Sequence, residues 1–472
     1  MSSSPYSQLK LRAVLRQADW WLDGPILKPL HNLLAALVLA AGPWLLVIVT
    51  LILISWTADN RFTDEALEDM RLAVVYAFML APIVAAPLGI IAARTIADTE
   101  VPPDASAVGA LLLVVCGVAG TAAEVLVIIV VLVLGVSNPA LTLAFALLTS
   151  ASAMMWVAFA VLAACKARRH LILSFATGLF IAVLLSVGVA DRAGSGSALV
   201  WCFTSGIVFC LALCLSPFLN IRHQLAELRH AAGQLRLCAK KTWPLAVGAS
   251  LAIMGIWADK WIVWFGPGGQ SSVAGFRHMP TYDSALFLAQ LSTLPGLASL
   301  AIYFEEPVRR AMDRFRAKLA NGATLRAANL SGMAVSEMIW TGILRIMMTQ
   351  FAVSAALLLL APVIASAMGL RLDQFLVLRM GIVGTLLHAL FLAASGVLVL
   401  CNAKMAFLIL QAAFLTANLS LSAVLTPVFG VNALGFALAS GLTSIFACVV
   451  AFETTKKLIA YLFIFGNDTV LN

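Results

Sequence analysis

Apolar runs long enough to cross a bilayer recur along this chain, separated by short polar stretches. A spanning helix needs roughly 20 apolar residues. By that measure about twelve are expected, near 32–56, 72–95, 107–135, 139–164, 171–190, 197–218, 243–265, 281–304, 340–366, 375–400, 405–428 and 431–452. The last run can extend through "LIAYLFIF", beyond Lys456 and Lys457. A cleaved leader is not expected, because the first apolar run starts near residue 32 and continues at spanning length. The pattern is that of an all-α polytopic membrane protein. Residues 219–242 separate six spans from six. The expected division is an interfacial N-terminus at 1–30, a first bundle at 31–218, a cytoplasmic linker at 219–242 and a second bundle at 243–466.

Two polar stretches carry a pattern of their own. Residues 8–30 mix Leu11, Leu15 and Leu22 with Lys10, Arg12, Arg16 and the pair Trp20–Trp21, as expected of an amphipathic segment in the headgroup zone. Residues 305–326 are expected to form a cytoplasmic amphipathic helix. It places Val308, Met312, Phe315 and Leu319 on one stripe and Arg309, Arg310, Arg314, Arg316 and Lys318 elsewhere, with Gly322 as its stop. Such a helix lies on the inner leaflet of the lipid bilayer or against a cytoplasmic partner.

Composition sharpens the picture. With 62% hydrophobic and 11% charged residues and a mean hydropathy of +1.01, a soluble globular domain is excluded. The net charge of +8 therefore bears on topology, and no nucleic-acid partner is expected. With both termini in the cytoplasm, roughly 22 of the 30 Lys and Arg lie inside, which is the bias that orients membrane proteins. The eight cysteines form no CxxC and fall mostly in or beside apolar runs, so no disulfide or metal site is expected. No HExxH, GxSxG or Walker loop occurs, so neither an enzyme nor a cofactor is expected.

The candidate chemistry sits at membrane depth, where ionisable residues are costly and usually functional. In "WADKWIVWF", Trp257, Trp261 and Trp264 fall on one helical face with Asp259 and Lys260 among them. Asp259 and Lys260 are adjacent and point in different directions, and Lys260 is near enough to the outer end to snorkel there. The next span opens with Tyr282 and Asp283 and carries Pro295-Gly296 in its middle. A proline there frees a backbone carbonyl, which protein or a water-filled cavity must receive. Glu124 lies in the middle of the third span, as a coupling or polar lining group or as a hydrogen bond to a neighbouring helix. Arg345 and Arg379 read as interfacial and His388 as a satisfied helix contact. The indole face suits either a membrane-interface belt or the apolar C–H faces of sugar rings.

These residues carry a resemblance. "GIWADKWIVWF" and "PTYDSALFLAQLSTLPGLASLAIYFEEPVRR", with "AAGPWLLVIVTLILI" and "YAFMLAPIVAAPLGIIAARTIAD", resemble the PelG family of Pel exopolysaccharide transporters. That family is similar to the multidrug/oligosaccharidyl-lipid/polysaccharide flippase superfamily, which implies two six-helix bundles around a central cavity. The resemblance implies transport of a GalNAc/GlcNAc-containing polymer across the bacterial inner membrane for the biofilm matrix. It also implies a cytoplasmic glycosyltransferase partner, PelF, and the membrane partners PelD and PelE. Two other functions fit the same scaffold: an ion-coupled transporter of drugs or lipid-linked oligosaccharides, and a non-conducting scaffold for a membrane-associated glycosyltransferase.

Overall fold

The computed structural model describes residues 45–57, 62–97, 105–189, 196–218, 224–300, 302 and 306–458. The amphipathic segment expected at 8–30, both termini and the run after Lys457 lie largely or wholly outside these residues. The first half comprises α1 (Leu45–Thr57), α2 (Asp64–Ala97), α3 (Ala105–Leu134), α4 (Pro139–Ala164), α5 (Arg168–Val189) and α6 (Gly196–Leu215). The second comprises α7 (Leu225–Phe265), the broken span α8 (Pro280–Leu291) and α9 (Leu294–Leu300), the surface helix α10 (Glu306–Ala320), α11 (Leu325–Ala367), α12 (Leu372–Leu400), α13 (Lys404–Phe429) and α14 (Leu434–Lys456). Ten of these helices are long and apolar enough to cross a membrane. With α1 and the α8–α9 pair the count reaches about twelve spans, six to a bundle.

Two separate hydrophobic cores mark the two bundles. Small residues let helices approach where lipid offers no hydrophobic drive. Gly178 of α5 and Gly206 of α6 meet backbone to backbone, each filling the space where the other's Cβ would stand. In the second bundle α7 and α13 run side by side, with Phe407 seated on Gly248 and Phe414 on Gly255. Buried hydroxyls return to their own helices: Thr149, Ser186, Thr204, Ser395 and Thr443 each donate to the carbonyl four residues back.

Several helices outrun their apolar runs. α2 begins at Asp64 rather than near 72, α11 at Leu325 rather than near 340, and residues 225–242 are helical and continuous with the seventh span. Apolar length marks only the hydrocarbon-crossing part of a helix, whereas helical hydrogen bonding continues into the polar zone beyond it.

α7 joins the bundles. Leu245 and Val263 are buried in the second core, while Trp264 is buried in the first and Trp257 and Trp261 pack on it. Beyond α7, the expected outer loop folds as a small antiparallel hairpin, β1 (Gln270–Ser271) and β2 (Arg277–His278), with Gln270 opposite His278. Its tip turns through Gly275 at φ +104°, a conformation open to glycine, and docks on the first bundle. Phe276 is 0% exposed, 5.1 Å from the Tyr76 ring and 5.4 Å from Phe145. The Tyr76 hydroxyl donates to the Arg277 carbonyl at 2.7 Å. His278 Nε2 lies 2.8 Å from Glu68 Oε1, the Ala274 amide donates to Asp69 at 3.2 Å, and the Ser137 amide donates to the Ala274 carbonyl at 3.3 Å.

Candidate functional site

The charged pair of α7 is held in two different ways. Asp259 is 1% exposed. Its Oδ2 accepts from the Tyr282 hydroxyl of α8 at 2.5 Å, and its Oδ1 accepts from Asn418 Nδ2 of α13 at 3.2 Å. Asn418 Nδ2 also donates to the Gly255 carbonyl at 2.8 Å, and Ser422 donates to Asn418 Oδ1 at 3.3 Å. This node ties three helices of the second bundle together. Protein groups thus engage both carboxylate oxygens of Asp259, and its side chain is buried.

Lys260 is 5% exposed and does not snorkel outward. Its Nζ donates back to the Ile256 carbonyl at 3.2 Å and stands 4.9 Å from the Trp257 ring centroid. Among the described residues no carboxylate lies within ion-pair distance of it. An aromatic face is the other favourable setting for an ammonium group.

Tyr282 and Asp283 clasp α8 to α7. Both Asp283 oxygens accept from Trp264 Nε1 at 2.9 Å, and one also accepts the Met279 amide ahead of the helix at 2.9 Å. Trp264 stacks on Tyr76 at 5.1 Å and lies 6.1 Å from Trp257, so its ring is part of a packed cluster rather than an interface belt. Trp261 lines a cleft of about 280 Å³ between α2, α3 and α7, shared with Met79, Ile129, Met254, Tyr76 and Trp264. The three polar groups on these aromatics are turned to other partners: Trp261 Nε1 to Met79 Sδ at 3.3 Å, Trp264 to Asp283, and Tyr76 to Arg277. The cleft therefore offers C–H and ring surface without free polar groups.

Glu124 stands apart from these residues. It is half-buried between α3 and α4, and its Oε1 accepts from Ser150 at 2.6 Å. The structure does not bring it together with Asp259.

The eighth span breaks at Ser292 and Thr293, just ahead of Pro295. The buried carbonyl of Ser292, within this break, accepts from Gln350 Nε2 of α11 at 2.9 Å. Gly296 gives the Gln350 amide its seat, since a Cβ there would collide with Oε1. Sequence reasoning missed Gln350 and Asn418. Both are uncharged amides in apolar runs, "MMTQFAVS" and "LTANLSLS", where the cost of a buried polar group was the available signal. His388 differs from the expectation of a satisfied contact. Neither ring nitrogen has a hydrogen-bond partner among the described residues, and the ring packs against Phe391, Phe414 and Phe436 at 5.7, 4.7 and 5.9 Å.

α10 forms where expected and ends before Gly322 at φ +74°. Its apolar stripe does not enter lipid. Val308, Met312 and Phe315 are buried in the second core, with Leu319 packed on it. Arg309, Arg310, Arg314, Arg316 and Lys318 stay on exposed faces, with Arg309 3.8 Å from Asp313 and Lys318 donating to Ser331 at 3.3 Å.

The family model PelG, exopolysaccharide exporter (EPS-E), matches residues 24–463. The chain belongs to the PelG family. Solved structures similar to this PelG-family chain are transporters. A MATE transporter in the bent conformation matches with a TM-score of 0.63 at 14% identity, covering 92% of this chain and 96% of that one. A MOP-superfamily transporter from Pyrococcus furiosus, described as having a binding pocket of reversed polarity, matches at 0.61 and 14%, covering 98% and 99%. An outward-facing multidrug resistance MATE transporter matches at 0.60 and 15%, covering 90% and 96%. These establish the fold: about twelve spans in two bundles around a central cavity. No curated protein matches by sequence. The PelG-family chain is a multi-pass membrane protein and a polysaccharide transporter.

Proposed function

We propose that this chain carries the GalNAc/GlcNAc-containing Pel polymer across the bacterial inner membrane to the biofilm matrix. The polymer passes between the two bundles, and both termini are cytoplasmic. The observation that carries this reading is the family match over residues 24–463. The aromatic cleft beside Trp261 supports it, since ring surface without free polar groups suits the C–H faces of sugars. Asp259, Tyr282 and Asn418 hold the second bundle as one body, and the docked hairpin closes the end of the bundles expected to be outer. The glycosyltransferase PelF docks on the basic faces of α10, alongside PelD and PelE.

The test is secreted polymer, measured by GalNAc-specific lectin binding, in a deletion strain and its complemented counterpart. Loss and recovery of polymer with unchanged drug tolerance is the expected result. A second reading, export of drugs coupled to an ion, draws support from the MATE likeness and from Glu124 at membrane depth. Normal polymer with raised drug sensitivity would favour it. Charge reversal at Arg309, Arg310 and Arg314 is expected to reduce PelF recruitment to membranes; unchanged recruitment would remove α10 from that role.

A further inference from the structure

The first turns of α7 face outward with a composition unlike that of α10. Counting from Trp243 to Trp264, α7 rises about 32 Å, close to the roughly 30 Å of a hydrocarbon core. Residues 225–242 therefore lie beyond the core at the other end from the hairpin. One face of this segment is held by protein. Ala231, Cys238 and Thr242 are buried, Cys238 Sγ donates to the Ile91 carbonyl at 3.5 Å, and Ser106 donates to Glu227 at 3.3 Å. Lys404 Nζ, at the start of α13, donates to the Lys241 carbonyl at 2.9 Å and fixes the segment beside Pro244.

The opposite face alternates cations with large apolar groups. Leu225 is 62% exposed, Leu237 64% and Trp243 50%, while Arg229, Arg236 and Lys240 share their side of the helix. Among the described residues none of these three cationic side chains has a hydrogen-bond or ion-pair partner. α10 shows no such mixture, because its large apolar groups are buried against the protein. A purely aqueous contact explains the cations but not two exposed leucines and an exposed indole at the membrane boundary. A headgroup layer explains both, with phosphates meeting the cations while the indole and leucines enter the acyl boundary.

We infer that the Leu225–Trp243 face rests in the headgroup layer and binds the phosphates of anionic phospholipid, with Arg229, Arg236 and Lys240 as the recognising groups. The inference is independent of which polymer is carried.

The experiment is hydrogen exchange on the full chain in nanodiscs of phosphatidylcholine alone or mixed with phosphatidylglycerol. Exchange across 225–242 is expected to slow several-fold with phosphatidylglycerol. The combined variant Arg229→Gln, Arg236→Gln and Lys240→Gln, all surface changes to good helix formers, is expected to erase that difference and leave α10 unchanged. Two results would overturn the proposal: no lipid dependence in the wild-type protein, or full retention of it in the variant. Retained lipid dependence with lost co-purification of a protein partner would likewise overturn it and assign the face to that partner.

Discussion

Asp259 sits where a carboxylate is costly, and its neighbours make it tolerable. Tyr282 and Asn418 each donate to one oxygen, so truncation strands two buried donors at once. Asp259→Ala is expected to destabilise the protein by about 1–3 kcal/mol, read as a lowered thermal midpoint in detergent. Asp259→Asn keeps the shape and one acceptor oxygen, so its loss is expected to be smaller. Equal stability of the alanine variant and wild type would contradict the node. The sequence marked Asp259 and Tyr282 through depth and charge, yet left open what they touch. Their partner Asn418 arrives from a helix 159 residues further along the chain, and no local spacing encodes that pairing. Depth and charge alone do not separate a carboxylate that lines a cavity from one engaged by neighbours, since both leave identical traces in one sequence.

At the scale of elements, prolines were legible and their compensation was not. Pro87 of α2 removes the donor for the Ile83 carbonyl, and Ser250 of α7 supplies one at 2.9 Å. At the break ahead of Pro295, Gln350 supplies a donor to the Ser292 carbonyl, which lies within the interrupted turn. Gln350→Leu is expected to leave the Ser292 carbonyl unpartnered and to loosen α8 against α11. Hydrogen exchange in residues 291–297 should rise while α3 and α4 keep their protection; unchanged exchange would show that the break does not depend on the clamp. Element existence followed from apolar run length. Element ends did not, because α2, α7 and α11 continue as helices past their apolar residues. The hairpin between α7 and α8 was also hidden, since its anchor Phe276 is one aromatic in a polar segment and its partners Tyr76 and Phe145 come from distant helices.

For the whole molecule, family and fold were legible because the α7–α8 block carries a specific pattern over an otherwise generic hydropathy profile. Residues 219–242, expected as a linker between six spans and six, are mostly the start of α7, which packs on the first bundle. α7 and its hairpin thus join the halves at both ends. Polymer passage between the bundles then requires the hairpin to leave Tyr76, Glu68 and the α3–α4 turn. The most direct measurement is lectin-detected polymer from cells carrying Ser137→Cys with Ala274→Cys, whose backbones already share a hydrogen bond at 3.3 Å. All eight native cysteines are buried or half-buried, which limits competing cross-links. Once formation of the cross-link is verified, oxidised cells are expected to lose export and recover it on reduction. Full export with the cross-link in place would contradict passage between bundles that part at the hairpin.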